Sequence, residues 1–189
     1  MHLTLASASP RRRDLLARLG LAPDAVSPAD INETPHPREL PRAYALRMAS
    51  EKALAVAASA PGFVLAGDTV VAAGRRILPK TETEGEARAC LELLSGRRHQ
   101  VLTSVALRAP DGSVKLRLSE NIVRFKVLSD EEIRAYLAGG EWHGKAGGYA
   151  IQGAAEGLVQ WIRGSHSGIM GLPLYETRAL LKSAGFAIG

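Results

Sequence analysis

Two stretches of this 189-residue chain hold residues in company that ordinary packing does not explain. The first is LTLASASPRRR at residues 3–13, where Ser7, Ser9, Arg11, Arg12 and Arg13 surround the point at which a short apolar strand gives way to a helix. A helix amino end already carries about half a positive charge, so cations in its first turn are disfavoured by roughly a few tenths of a kcal/mol each unless an anion lies nearby. Free amides, serine hydroxyls and guanidinium forks converging on one turn suit a phosphate. The alternative is a charged turn that fans into solvent.

The second stretch is FVLAGDTVVAAGRRIL, in which Asp68 interrupts an apolar run that resumes at Val70 and Val71. A buried carboxylate is costly unless it is hydrogen-bonded, paired or bound to a cation, which favours metal ligation or general-base work there. Three other charged residues bear on these two stretches. Ala45, Ala49, Lys52 and Val56 recur at helical spacing, so Lys52 lies on or beside a face of small apolar residues and either snorkels out or points at an anion. Glu33 sits in a loop braced by Pro23, Pro28, Pro35, Pro37 and Pro41, either as a solvated acid or as a carboxylate reaching over a neighbouring site. Lys80 closely follows the Asp68 strand region, in LPKTETE.

The elements that must position these residues read as follows. Ser9 is a good N-cap through its hydroxyl and Pro10 a good first helical residue, with Leu15, Leu16 and Leu19 as the buried stripe and Gly20 as the stop. An alanine-rich helix covers 42–58, a strand region 62–78, and a helix 84–95 that ends at Gly96. Residues 100–127 alternate as a long hairpin turning at Ala109-Pro110-Asp111-Gly112, and Ser129 with Glu132 forms a capping box for a helix to Ala138. GGEWHGKAGGYAIQG at 139–153 is glycine-rich around Lys145 and leads to a short strand ending at Gln152. A strand over 158–162, a glycine-serine turn over 164–173 and a helix over 173–184 complete the chain.

With 46% hydrophobic residues and no repeat, low-complexity tract or hinge, residues 1–189 form a single α/β domain, with room for two lobes. No leader and no apolar run near twenty residues is present, so a cytoplasmic protein without a membrane span is expected. Cys90 shares a stripe with Ala87, Leu91 and Leu94 and reads as a packed thiol. The net charge of +5 and the pairs Arg75-Arg76 and Arg97-Arg98 invite a nucleic-acid partner. Aromatics, at 5%, are not interleaved with the basic residues, so a small polyanion such as a nucleotide is the better partner and no stable nucleic-acid complex is expected. The five histidines show no metal-ligand spacing.

Taken together, LASASPRR, Glu33, EKA at 51–53, GDTVV at 67–71, LLSGRRH at 93–99, GKAGGYAIQG at 144–153 and GLPLYET at 171–177 resemble the Maf family of nucleotide pyrophosphatases, in the family's order and over nearly the whole chain. The resemblance implies a long mixed twisted sheet flanked by helices, similar to the inosine triphosphate pyrophosphatases, with a cleft between two lobes and a homodimeric assembly. It implies hydrolysis of a nucleoside triphosphate to the monophosphate and pyrophosphate with a divalent cation, Mg2+ or Mn2+. By the same resemblance Asp68 matches the catalytic proton acceptor, Glu33 a second carboxylate sharing the metal, Lys52 and Lys80 lysines around the phosphates, and Ser7, Ser9, Arg11 and Arg12 the phosphate turn. Arg11, Thr69 and Gln152 match the branch acting on dTTP and UTP rather than the branch acting on 7-methyl-GTP. An amide offers adjacent donor and acceptor groups, which suits the oxo group and N3–H of uracil or thymine.

The chain departs from the usual family pattern in two places. Pro79-Lys80-Thr81 stands where a glycine before and a proline after the lysine are common, and His166 and Gly168 stand where tyrosine and asparagine are more usual. Alternatives to a pyrimidine triphosphatase are a broader-specificity or 7-methyl-GTP pyrophosphatase, a nucleotidyltransferase, and a non-catalytic nucleotide or nucleic-acid binding module. Binding without turnover, with a steep dependence on salt, would mark the last of these.

Overall fold

In the computed structural model, which describes residues 1–188, the elements run β1 (Leu3–Leu5), α1 (Pro10–Ala17), β2 (Ala25–Val26), α2 (Pro41–Ala57), β3 (Phe63–Ala73), β4 (Arg76–Leu78), β5 (Lys80–Thr81), α3 (Glu84–Leu94), β6 (Arg98–Arg108), β7 (Val114–Phe125), α4 (Asp130–Ala138), β8 (Lys145–Ala146), a 3-10 turn (Ala154–Leu158), β9 (Val159–Arg163), α5 (His166–Met170) and α6 (Leu174–Ser183). The main sheet is mixed, in the order β2-β1-β3-β6-β7-β9 with β4 also on β3, while β5 and β8 form a separate pair. Strands β2, β1 and β3 are parallel, and β3, β6, β7 and β9 are antiparallel. Among the described residues no helix is long and apolar enough to cross a membrane.

Helices cover both faces. On one, Ala49, Ala53 and Val56 of α2 pack on Ala6, Val64, Ala66 and Ala106, and these small side chains let helix and sheet approach closely. On the other face the core is divided. One part joins Leu15, Leu16, Leu180 and Leu181 of α1 and α6 to Leu3, Leu5, Leu65 and Leu107. The second joins α3 and α4, through Cys90, Leu91, Leu94, Ile133 and Leu137, to Val71, Val101 and Phe125.

The central strand explains why a cleft opens between them. Strand β1 pairs with β3 only over Phe63–Leu65, and β4 pairs with it only over Val71–Ala73. The intervening stretch of β3 keeps β6 as its neighbour on one edge, with Asp68 opposite Ser104 and Thr69 opposite Thr103, and has no ladder on the other. Asp68 stands midway along that open edge.

Several expectations are corrected. Ser9 does occupy the N-cap of α1, but its hydroxyl makes no cap bond; its backbone N–H instead donates to Ser7 Oγ at 3.2 Å. Leu19 is only partly buried. The 62–78 strand region is present as expected, as a hairpin of β3 and β4 turning at Gly74. No strand ends at Gln152: only Lys145–Ala146 is extended, because Gly147 and Gly148 take φ of 69° and 70° and turn the chain. At Gly147 a Cβ would lie 2.7 Å from Val71 Cγ1, so a side chain is excluded there as well. The long hairpin and the Ser129–Glu132 capping box are present as expected, joined by a second box at Thr83 and Glu86.

Candidate active site

A cleft of about 450 Å³ opens at the free edge of β3, and it is lined by ten of the residues singled out above for chemistry or binding: Ser7, Ser9, Arg11, Arg12, Glu33, Lys52, Asp68, Thr69, Lys80 and Gln152. They come from six separate segments of the chain. Arg13 is the exception to the arginine cluster and is exposed.

At the floor, a chain of charges alternates in sign. Lys52 Nζ donates to Asp68 Oδ1 at 2.6 Å and lies 2.8 Å from Glu33 Oε1, while Lys80 Nζ donates to Glu33 Oε2 at 2.5 Å. Lys52 is 6% exposed and Asp68 4%, so the ammonium does not snorkel; it answers the buried acid of the facing strand. Burial alone would raise the Glu33 pKa, but the hydrogen bonds from Lys52 and Lys80 outweigh it and hold the carboxyl at about 2. Glu33 is therefore ionised and locked, and not a solvated loop acid. Lys80 follows a strand path despite its Pro79-Thr81 neighbours, because β5 pairs with β8 in register Lys80 to Ala146.

The opening turn is organised by Arg12. Its Nε donates to Gly171 O at 2.8 Å and its Nη1 to Ser7 Oγ at 3.0 Å, with Nη2 3.5 Å from Thr69 Oγ1. Burial lowers its pKa, countered by the charge of Asp68. Arg11 is partly buried and makes no hydrogen bond or ion pair among the described residues, and burial lowers its pKa too. A guanidinium so placed favours an incoming anion. Thr69 is braced from behind by Thr103 Oγ1, which lies 3.0 Å from Thr69 Oγ1 and donates to Gly168 O at 2.7 Å. The Gln152 amide is exposed and engaged in no hydrogen bond among the described residues.

Two residues were missed from sequence. Lys145 also lines the cleft, partly buried, with its Nζ donating to His143 O at 2.8 Å and no carboxylate partner among the described residues. Burial and the neighbouring Arg11 lower its pKa. Its signal was a single cation amid glycines that let the backbone come close. Thr103 is the other, hidden in an apolar alternating strand. The departure at Gly168 also has a local cause: a Cβ there would lie 2.8 Å from Ser119 Oγ and 3.0 Å from Asn121 Nδ2.

The donor chemistry fits a hard divalent cation. Glu33 and Asp68 supply carboxylate oxygens side by side on one ammonium, and two carboxylates completed by phosphate oxygens and water is the usual environment of Mg2+. Among the described residues no cluster of three or more His, Cys, Asp or Glu forms an all-protein cage.

Residues 2–184 match the family described as Maf-like protein. The chain is 64% identical to the dTTP/UTP pyrophosphatase of Novosphingobium aromaticivorans over 188 residues, covering 99% of this chain and 94% of that one. It is 60% identical to the protein of the same name from Rhodospirillum rubrum, covering 99% and 90% of the two chains. With that of Caulobacter vibrioides it shares 61% identity over 97% and 96%. Among solved structures, the Staphylococcus aureus Ham1 protein overlaps 66% of this chain and 72% of its own at 17% identity, with a TM-score of 0.47.

Proposed function

The chain belongs to the Maf family, and from that premise we propose that it hydrolyses dTTP and UTP to the nucleoside monophosphate and pyrophosphate, by attack of water on the α-phosphorus. The observation that carries this is the buried Asp68 carboxylate at the open strand edge, 2.6 Å from Lys52 Nζ, in one cleft with the Ser7–Arg12 turn.

Phosphoryl-type transfer needs in-line placement and charge neutralisation more than a protein nucleophile. Arg11 and Arg12, with Ser7 and Ser9, bind the phosphate tail at the helix amino end. Lys52 and Lys80 move part of their charge from the carboxylates to phosphate oxygens as substrate enters. Asp68 orients the water and accepts its proton. Glu33 and Asp68 would hold the divalent cation, Mg2+ or Mn2+, which supplies further neutralisation of phosphate charge and acidifies bound water. The Gln152 amide, without a partner among the described residues, reads the pyrimidine edge, and the names of the relatives support that choice over 7-methyl-GTP.

The test is incubation with a panel of nucleoside triphosphates plus Mg2+, read by chromatography for monophosphate and pyrophosphate. Preferential turnover of dTTP and UTP is expected, and Asp68→Asn should lower it at least about a hundredfold, as loss of a general base does, while the fold survives. Near-normal turnover by Asp68→Asn refutes the assignment. Tight binding without products would instead identify a binding module.

A further inference from the structure

Glu33 rides on a segment with little backbone support. From residue 28 to residue 39 a single backbone-to-backbone hydrogen bond forms among the described residues, Glu39 N to His36 O at 3.0 Å. Pro28, Pro35 and Pro37 have no amide to give. Apart from Lys80 on the Glu33 carboxylate, what holds the segment is α2. Tyr44 Oη donates to the backbone carbonyl of Glu33 itself at 2.6 Å. One turn on, Arg47 grips Glu39 through two bonds of 2.7 Å, Nε to Oε1 and Nη2 to Oε2, and reaches Thr34 O at 3.3 Å. Its Nη1 is steadied by Glu51 at 3.2 Å, and its guanidinium stands 5.4 Å from the Tyr44 ring centroid.

Tyr44 is 8% exposed and belongs to a buried cluster with Ala45, Met48, Val70 and Leu102, and Ile31 of the same segment packs against that cluster. That packing accounts for the ring. It does not account for the hydroxyl, whose one partner among the described residues is the carbonyl of the residue that meets both cleft lysines.

We propose that Tyr44 and Arg47 are positioning residues that latch the Glu33 segment onto α2 and thereby set where the Glu33 carboxylate stands relative to Asp68. This rests on the role given to Glu33 in the hydrolysis proposed above. Helix α2 then does two jobs from one surface: Lys52 meets the carboxylate directly, and Tyr44 and Arg47 fix the backbone that presents it.

The experiment uses the full chain and Tyr44→Phe, which keeps the ring and removes only the hydroxyl. Limited trypsin cleavage of the metal-free protein after the exposed Arg38 is followed by mass spectrometry, and turnover of saturating UTP is measured against Mg2+ concentration. Cleavage after Arg38 should be about three- to tenfold faster, the scale of one lost hydrogen bond, while cleavage within β6 and β7 stays unchanged. Half-saturation by Mg2+ should rise by a similar factor, with the UTP KM at saturating Mg2+ within about twofold of the parent. Arg47→Lys, which keeps the charge but loses the fork, should speed the same cleavage. Unchanged cleavage after Arg38 overturns the latch. So does a loosened segment with unchanged Mg2+ half-saturation, or a fall in kcat without such a shift. If the parent protein hydrolyses no triphosphate, the function proposed above fails, and the cleavage result alone decides the latch.

Discussion

Lys52→Met is the perturbation that bears most directly on how the cleft is built. Methionine keeps the stem of the side chain and removes the ammonium that bonds Asp68 at 2.6 Å and Glu33 at 2.8 Å. Asp68, only 4% exposed, is left charged beside a second carboxylate with no cation between them. Breaking a buried pair by removing one partner costs about 3–5 kcal/mol, because the remaining charge stays desolvated. For a domain of this size each kcal/mol shifts Tm by about 2–4 °C, so melting should fall by roughly 6–20 °C. The loss should shrink by about half or more in an Asp68→Asn background, where the stranded charge is gone. Thermal melts followed by circular dichroism at pH 7.5, on the four proteins of that cycle, read both effects. A Tm loss below about 2 °C, or the same loss with and without Asp68, would refute the claim that Lys52 is there to answer the buried acid.

Two further outcomes are expected. Gln152→Leu keeps the size of a side chain free of partners and removes its donor and acceptor, so kcat/KM for UTP should fall about tenfold or more relative to purine triphosphates. An unchanged ratio in competition assays would remove Gln152 from base selection. His99 is 2% exposed with Nε2 2.7 Å from Tyr149 Oη, and burial lowers its pKa from 6.5 to about 4. A folded pKa below the unfolded one means the unfolded chain binds more protons between those values. Its contribution is therefore complete above pH 6.5 and is lost as pH falls toward 4, on the order of 3 kcal/mol. His99→Phe should flatten that part of the denaturant-unfolding profile, and an unaltered slope would place the acid sensitivity elsewhere.

Legibility in the sequence differed by residue for physical reasons. Asp68 could be read because an acid in an apolar strand is costly wherever it is buried, and the capping box at Ser129 and Glu132 because it is local. The arginine turn could be half read. Its composition suited an anion, but that Arg13 faces solvent while Arg12 binds Gly171 O depends on a segment 159 residues away. Lys52 and Glu33 were ambiguous because their partners lie on other elements, and without those partners snorkelling or solvation would prevail. Lys145 and Thr103 carried too little local contrast to single out. The strand expected before Gln152 does not form, because Gly147 and Gly148 take positive φ and turn the chain ahead of the apolar YAI run, a conformation that composition alone does not fix.

By itself, the sequence determined most of the helices and the long strands, the acid that must be answered and the cationic turn, because propensity, patterning and desolvation act on neighbours along the chain; it did not separate α5 from the turn around it. Only the tertiary structure decided that β1 and β4 each stop short on β3, which opens the edge where Asp68 stands. Only there do Lys52, Glu33 and Lys80 meet, since the pairing of charges from four segments is a property of distances in space, and no local term fixes them.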